Sequence, residues 1–216
     1  MDFLTTFQKQ YATESLEVVI RDRRFNFLVP TDLESFINPN DLFHDFPLWS
    51  KVWEASMALA DFLAAKRPEP EKRFLEIGAG IGFVGIVAAA FGHHMTISEI
   101  NPHALDFIRA NSLVNQCPNI EIVSLDWNDP GIDGGFDYIV GSEVVYHEKD
   151  FGPLQHLIER LLKPGGKVFL CSEVRKVTLE FYQRLQPFYN MSAQKKKVRS
   201  QDQEIPIILC RIAHKD

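Results

Sequence analysis

The sequence is poor in the features that would place it in several broad protein classes. Its three cysteines, Cys117, Cys171 and Cys210, are scattered, odd in number and without C-x-x-C spacing. Neither a disulfide framework nor a zinc site is expected from them, and a reducing, cytoplasmic setting is the expectation. No apolar run nears the ~20 residues that a membrane span needs, since Phe83 to Phe91 is far too short. Asp2 comes early and no basic-then-apolar start follows it, so no secretory leader is expected. Positive charge is not in excess: 23 Lys and Arg against 29 Asp and Glu leave a formal net charge of −6. That balance argues against non-specific nucleic-acid binding. The 216 residues predict a single domain with a substantial core, and no internal repeat stands out.

What is present centres on the run Phe74-Leu75-Glu76-Ile77-Gly78-Ala79-Gly80-Ile81-Gly82-Phe83-Val84-Gly85. Apolar residues lead to an acid, glycines follow at alternate positions, and an apolar helical stretch comes next. This predicts a strand, a tight turn whose backbone a ligand can touch, and a helix N-terminus. Gly80-x-Gly82-x-x-Gly85, with Glu99 near the ~20-residue offset of a ribose-binding acid, satisfies the dinucleotide fingerprint. The same residues satisfy Glu-x-Gly-x-Gly-x-Gly, so the glycines alone leave the ligand open.

Around this run the periodicities alternate. Leu16 to Val29 predicts two short strands about a polar Asp22-Arg23 turn. The aromatic stretch Phe43, Phe46, Trp49 and Trp53 leads into a helix expected to start near Ser50, and Pro68-Glu69-Pro70-Glu71 ends it. Strands are then expected at the Phe-Leu-Glu-Ile segment, Met95–Ser98, Ile120–Leu125, Phe136–Gly141 and Lys167–Cys171. Helices fall between them over Phe83–Phe91, from a cap at Asn101-Pro102, and along Leu154, Leu157, Ile158 and Leu161, the last stopped by Pro164-Gly165-Gly166. A short helix near Leu179–Leu185 precedes two strand-like segments, around Asn190–Val198 and Ile205–Ile212, expected to close the sheet as an antiparallel pair. The fold class is α/β, with helices on both faces of a mostly parallel sheet.

In such a sheet ligands sit beyond the carboxyl ends of the strands. The first end offers Glu76 and the glycine loop, and the second offers Glu99 for ribose hydroxyls. The third offers Asp126-Trp127, an acceptor for an exocyclic amine beside a stacking face, and the fourth offers Ser142-Glu143-Val144-Val145-Tyr146. A dinucleotide would need positive partners for its pyrophosphate. S-Adenosylmethionine (SAM), with an amino-acid end, a sulfonium and an adenosine, suits acids and aromatics better.

With LEIGAGIG, the acid in SEIN, Asp126-Trp127 and LLKPGGKVFL in that order, the chain resembles the class I SAM-dependent methyltransferases. Leu48-Trp49, Trp53-Glu54-Ala55 and Glu143-x-x-Tyr146 narrow the resemblance to methyltransferase family 16, the seven-β-strand protein lysine methyltransferases. Many members carry Asp where this chain has Glu143. The resemblance implies a Rossmann-like, doubly wound, mostly parallel seven-stranded sheet. Within one domain spanning 1–216, a strand pair and helix over 1–70 would precede a cofactor-binding core over 71–216.

The resemblance also implies roles. Trp53 would cover SAM, and Gly78, Gly80 and Gly82 would line its methionine end beside Glu76 and Ser142. Glu99 would bind the ribose, and Asp126 and Trp127 the adenine. Glu143 and Tyr146 would serve catalysis, orienting an incoming lysine amine, assisting its proton loss and holding it by hydrogen bond or cation–π contact. A protein substrate is implied, S-adenosylhomocysteine would be the product, and a monomer is the default.

Other residues draw blander readings. His147 beside Tyr146 is expected to be a solvated loop histidine, and His93-His94, with no third ligand in sight, no metal site. Trp49 is expected to be a core aromatic, and Lys195-Lys196-Lys197 a solvated face. A small-molecule N- or O-methyltransferase, a silent SAM-binding protein and an NAD-dependent oxidoreductase are the competing readings on the same fold.

Overall fold

A computed structural model describes residues 2–37, 46–117, 120–200 and 203–215. Its main sheet has seven strands: β3 (Arg73–Glu76), β4 (His94–Glu99), β5 (Glu121–Ser124), β6 (Phe136–Ser142), β7 (Leu162–Glu173), β8 (Tyr189–Ser200) and β9 (Gln203–His214). Their order across the sheet is β5-β4-β3-β6-β7-β9-β8, with β9 antiparallel to both β7 and β8 and all other neighbours parallel. The order reverses between β3 and β6. At that switch the carboxyl ends of adjacent strands diverge and leave a crevice.

The helix α3 (Phe83–Ala90) follows the glycine loop and has buried residues on every side, as its uniformly apolar sequence predicts. Asn101 caps α4 (Pro102–Val114), its Oδ1 accepting from the N–H groups of His103 at 2.9 Å and Ala104 at 3.2 Å. The helices α5 (Phe151–Leu161) and α6 (Lys176–Leu185) bury Leu154, Leu157, Ile158, Leu161, Phe181 and Leu185 in a second apolar cluster with β6 and β7.

The strand pair β1 (Thr13–Ile20) and β2 (Arg23–Pro30) forms its own two-stranded sheet. It is fastened to α4 by side chains that imitate a strand edge. Asn111 accepts from Leu28 N–H at 2.7 Å and donates to the Leu28 carbonyl at 3.2 Å, and Asn115 does the same for Asn26 at 3.0 and 2.8 Å. The spacing i, i+4 puts both amides on one helix face.

Three expectations need correction. A helix α1 (Phe3–Gln10), capped by Asp2 accepting from Thr5 N–H, precedes the strand pair; its apolar signal is Phe3, Leu4, Phe7 and Tyr11 at helical spacing. The helix α2 (Glu54–Ala64) begins four residues later than Ser50, because Leu48–Ser50 forms a separate 3-10 turn and Trp53 is extended as the N-cap. The Pro164-Gly165-Gly166 segment does not separate α5 from a new strand. β7 already begins at Leu162, and its register against β6 slips across that segment, Phe136 facing Leu162 and Tyr138 facing Lys167. Phe43, one of the aromatics ahead of α2, lies outside the described residues.

Candidate active site

A cavity of about 510 Å³ opens at the carboxyl ends of β3, β4 and β6. It gathers nine of the eleven candidate residues: Trp53, Gly78, Gly80, Glu99, Asp126, Trp127, Ser142, Glu143 and Tyr146. These come from five separate stretches of chain, and only the crossovers of the sheet bring them together.

The glycine loop forms the floor. Gly78 and Gly80 both take positive φ, 59° and 56°. At Gly80 a Cβ would lie 2.6 Å from the Trp49 carbonyl oxygen, so the Leu48–Ser50 turn packs directly on the loop. At Gly78 it would meet Val144 at 3.1 Å and the Trp127 ring at 3.3 Å. The loop is therefore a cradle in which bare backbone faces the cavity between two tryptophans.

Glu99 is fixed rather than free. Its Oε2 accepts from Gly80 N–H at 2.9 Å, and its Oε1 accepts from Ile100 at 2.8 Å and Asn101 at 3.1 Å. A carboxylate offers about four acceptor sites, so the group keeps capacity on Oε2 for a ligand hydroxyl. Asp126 is exposed at the rim, and hydrogen bonds from the Asn128 backbone and side chain hold its carboxyl below the usual range. Trp53 donates its indole N–H to the Leu48 carbonyl at 3.1 Å and carries the Lys51 ammonium 4.5 Å above its ring. Ser142 shares a 2.9 Å hydroxyl contact with Ser56 of α2.

Two of the eleven residues do not line the cavity. Glu76 is 1% exposed beneath the loop, where its Oε2 accepts from Gly85 N–H at 2.8 Å. Burial raises its pKa to about 8, opposed by that hydrogen bond and assisted by the Glu99 charge, so the group is mainly protonated at neutral pH. Gly82, with φ of 84°, caps α3, and a Cβ there would meet Ile86 and Ile108 rather than the cavity. Both shape the loop from behind.

The end of β6 leads into Glu143, 6% exposed and at φ of 51°, a left-handed conformation rare outside glycine. Three anchors hold it there. Its backbone N–H donates to the Cys171 carbonyl at 2.9 Å, its Oε1 accepts from Glu173 N–H at 2.6 Å, and its Oε2 from the Arg175 guanidinium at 2.7 Å. Burial pushes its pKa upward, against the lowering by the Glu173 amide and Arg175. Tyr146 is partly buried, with Arg175 5.7 Å from its ring centroid. Burial, and then the Glu143 charge, push its phenol well above the ordinary value.

Arg175 and Glu173 were missed in the sequence. They lie at the fifth carboxyl end, in Ser172-Glu173-Val174-Arg175, and an acid at the end of a parallel strand is the signal that marks them. Trp49 also lines the cavity, while packing against Phe36 and Phe107 as a core aromatic would. His147 is exposed, and its backbone N–H donates to the Asp150 carboxylate at 3.2 Å in a capping box. His93 is buried against the Leu63 carbonyl at 2.9 Å.

The donor set fits SAM: bare loop backbone for the amino-acid end, a carboxylate with spare capacity for the ribose, and Asp126 beside an indole for the adenine. Fold and site together define a SAM-dependent methyltransferase of Rossmann-like architecture. Residues 48–188 match the family described as lysine methyltransferase, and the chain belongs to that family. It is 31% identical over 179 residues to EEF1A lysine methyltransferase 3 of Mus musculus, covering 77% of this chain and 73% of the relative. It is 35% identical to Protein N-lysine methyltransferase METTL21A of Danio rerio, over 57% of this chain and 60% of the relative. Among solved structures, Pyrococcus horikoshii TYW2 in complex with MeSAdo superposes at a TM-score of 0.63 and 15% identity, covering 94% of this chain and 72% of that one. At that identity the likeness speaks for the fold.

Proposed function

We propose that this methyltransferase acts on a lysine side chain of a protein substrate, with Glu143 and Tyr146 as the groups that meet the amine. The observation that carries the reading is the single cavity joining Gly78, Gly80, Glu99 and Asp126-Trp127 to Glu143 and Tyr146. When bound, SAM supplies a sulfonium-activated methyl group; the deprotonated amine takes the methyl carbon while the S–C bond pair returns to sulfur, leaving S-adenosylhomocysteine.

The chain's residues do the rest by placement. Gly78 and Gly80 present backbone to the methionine end, Glu99 accepts from the ribose, and Asp126 and Trp127 take the adenine edge and face. Trp53 covers the cofactor, Ser142 borders it, and Glu76 and Gly82 keep the loop in shape from below. A lysine amine has a pKa near 10.4 in water, and burial beside positive charge favours its neutral form. Glu143 is anchored on one lone pair of each oxygen, so a further acceptor site remains to orient the amine and take up its proton. Tyr146 offers a protonated phenol and a ring face to the same group.

Monomeric action in the cytoplasm, without nucleic acid, belongs to this proposal; the free thiols of Cys117, Cys171 and Cys210 agree with a reducing compartment. The test is transfer from methyl-labelled SAM into lysate protein, with amino-acid analysis of the labelled product. Label in methyl-lysine, reduced about 10²-fold in Glu143→Gln with S-adenosylhomocysteine affinity kept within about twofold, is the expected result. Full turnover in Glu143→Gln would remove Glu143 from catalysis.

A further inference from the structure

A second cavity, of about 400 Å³, borders the first and shares three wall residues with it: Lys51, Trp53 and Glu143. Its other walls are Glu54 and Ala55 at the start of α2, Glu173 and Arg175 at the end of β7, and Gln203, Ile205 and Ile207 of β9. The β9 contribution follows from the sheet register. β7 pairs with β9 only as far as Glu173 opposite Ile207, whereas β8 and β9 stay paired out to Ser200 opposite Gln203. The β8–β9 hairpin thus overhangs the carboxyl end of the sheet, held at its base by Val174 N–H donating to the Pro206 carbonyl at 2.9 Å.

We propose that this second cavity is the passage by which the acceptor enters, taking a lysine side chain presented on an extended protein segment laid against the overhanging hairpin. The proposal rests on the methyltransferase reading above and specifies the acceptor's route. Three observations carry it. Displacement at a methyl carbon requires donor and acceptor on opposite sides of that carbon. Two cavities that share Lys51, Trp53 and Glu143 as a common wall provide such opposite sides. Among the described residues the passage wall holds the carboxylates Glu54, Glu143 and Glu173 and two cations, Arg175 on Glu143 at 2.7 Å and Glu173 at 2.9 Å and Lys51 over the Trp53 ring. An entering ammonium meets Glu143, whose two oxygens each keep an acceptor site beyond the Glu173 amide and Arg175. The apolar stretch of wall, Ile205 and Ile207 with Ala55, suits the four-carbon stem of lysine, which buries its methylenes while its charge seeks an acid.

Gln203 and Ile205 line the passage and not the cofactor cavity, so the route separates experimentally from cofactor binding. Gln203→Trp places a large ring at an exposed position on the passage wall, and Ile205→Trp fills it from a half-buried one. Each variant is compared with the parent for S-adenosylhomocysteine affinity by calorimetry and for label transferred from methyl-labelled SAM into lysate protein. The expected result is a loss of at least tenfold in protein labelling in both variants with affinity changed less than about twofold. Should Ile205→Trp also weaken cofactor binding through misfolding, the exposed Gln203→Trp decides. Parent protein that labels a substrate, with Gln203→Trp labelling it equally well, would overturn the passage and leave the methyltransferase reading standing. Parent protein that binds the cofactor product yet labels no protein would overturn the lysine reading and the passage with it.

Discussion

Arg175 grips Glu143 at 2.7 Å across 32 residues of sequence, and the same guanidinium reaches Glu173 at 2.9 Å and lies beside the Tyr146 ring. One cation thus ties the ends of β6 and β7 together and sets the charge of the carboxylate at the reacting side. Burial alone would carry the Glu143 pKa further upward; Arg175 and the Glu173 amide restrain it.

Replacing Arg175 by Gln removes that restraint, so the Glu143 carboxyl holds its proton to higher pH. The rising limb of the pH–rate profile is expected to move to higher pH while S-adenosylhomocysteine binding stays near that of the parent. Arg175→Lys, which keeps a charge but loses the fork that spans two acids, should recover part of the shift. A pH profile of methyl transfer in the three proteins checks this; an unmoved limb in Arg175→Gln would show that the pair serves only stability.

The buried acid Glu76 makes stability depend on pH in a defined direction. Its carboxyl titrates near 4.5 ordinarily and near 8 in the fold, so the folded state holds more protons across that window and stability falls as pH rises through it. Glu76→Gln keeps an acceptor for Gly85 N–H and is neutral at every pH. The variant is expected to melt above the parent at pH 9, with the advantage shrinking or reversing at pH 5. Melting curves by circular dichroism at the two values read it directly.

Gly80 is required twice over, by its φ of 56° and by the Trp49 carbonyl that a Cβ would meet at 2.6 Å. Gly80→Ala is expected to cost roughly 3 kcal/mol in stability and to weaken cofactor binding as the Leu48–Ser50 turn is pushed off the loop. Thermal unfolding with and without S-adenosylhomocysteine would show both losses; a parent-like melt would mean that the turn yields freely.

Asn111 is fully buried and joins three backbone groups, Leu28 N–H and the carbonyls of Leu28 and Ile81, at 2.7, 3.2 and 3.1 Å. Asn111→Ala leaves those groups unpaired and is expected to cost about 2–4 kcal/mol. Asn115→Ala, toward the exposed end of the same seam, should cost about 1 kcal/mol. Denaturant midpoints of the two variants give the comparison.

Much of the site was legible because its parts are local. A glycine run after an apolar strand, an acid ending the next strand, and Asp-Trp after the third are each decided within a few residues by strand ends and turn chemistry. Seven strands, their mixed directions and the antiparallel closing pair could likewise be read from alternating periodicities and a family resemblance. The helix of Phe3 to Gln10 escaped because eight residues carry too few turns for a period to stand out. The slip of β7 past Pro164-Gly165-Gly166 escaped because register is a property of two strands.

The sequence by itself determined which residues stand at the carboxyl ends of the parallel strands, and so the class of ligand the crevice accepts, because period and turn signals act at short range. Only the tertiary structure decided that Glu76 and Gly82 support the loop from behind, that Gly80 answers to a carbonyl 31 residues upstream as much as to any ligand, and that Glu143 is paired with Arg175. Each of these depends on which distant segments the sheet order and helix packing bring into contact and on how far burial moves a charge. Neither quantity exists until the chain is folded.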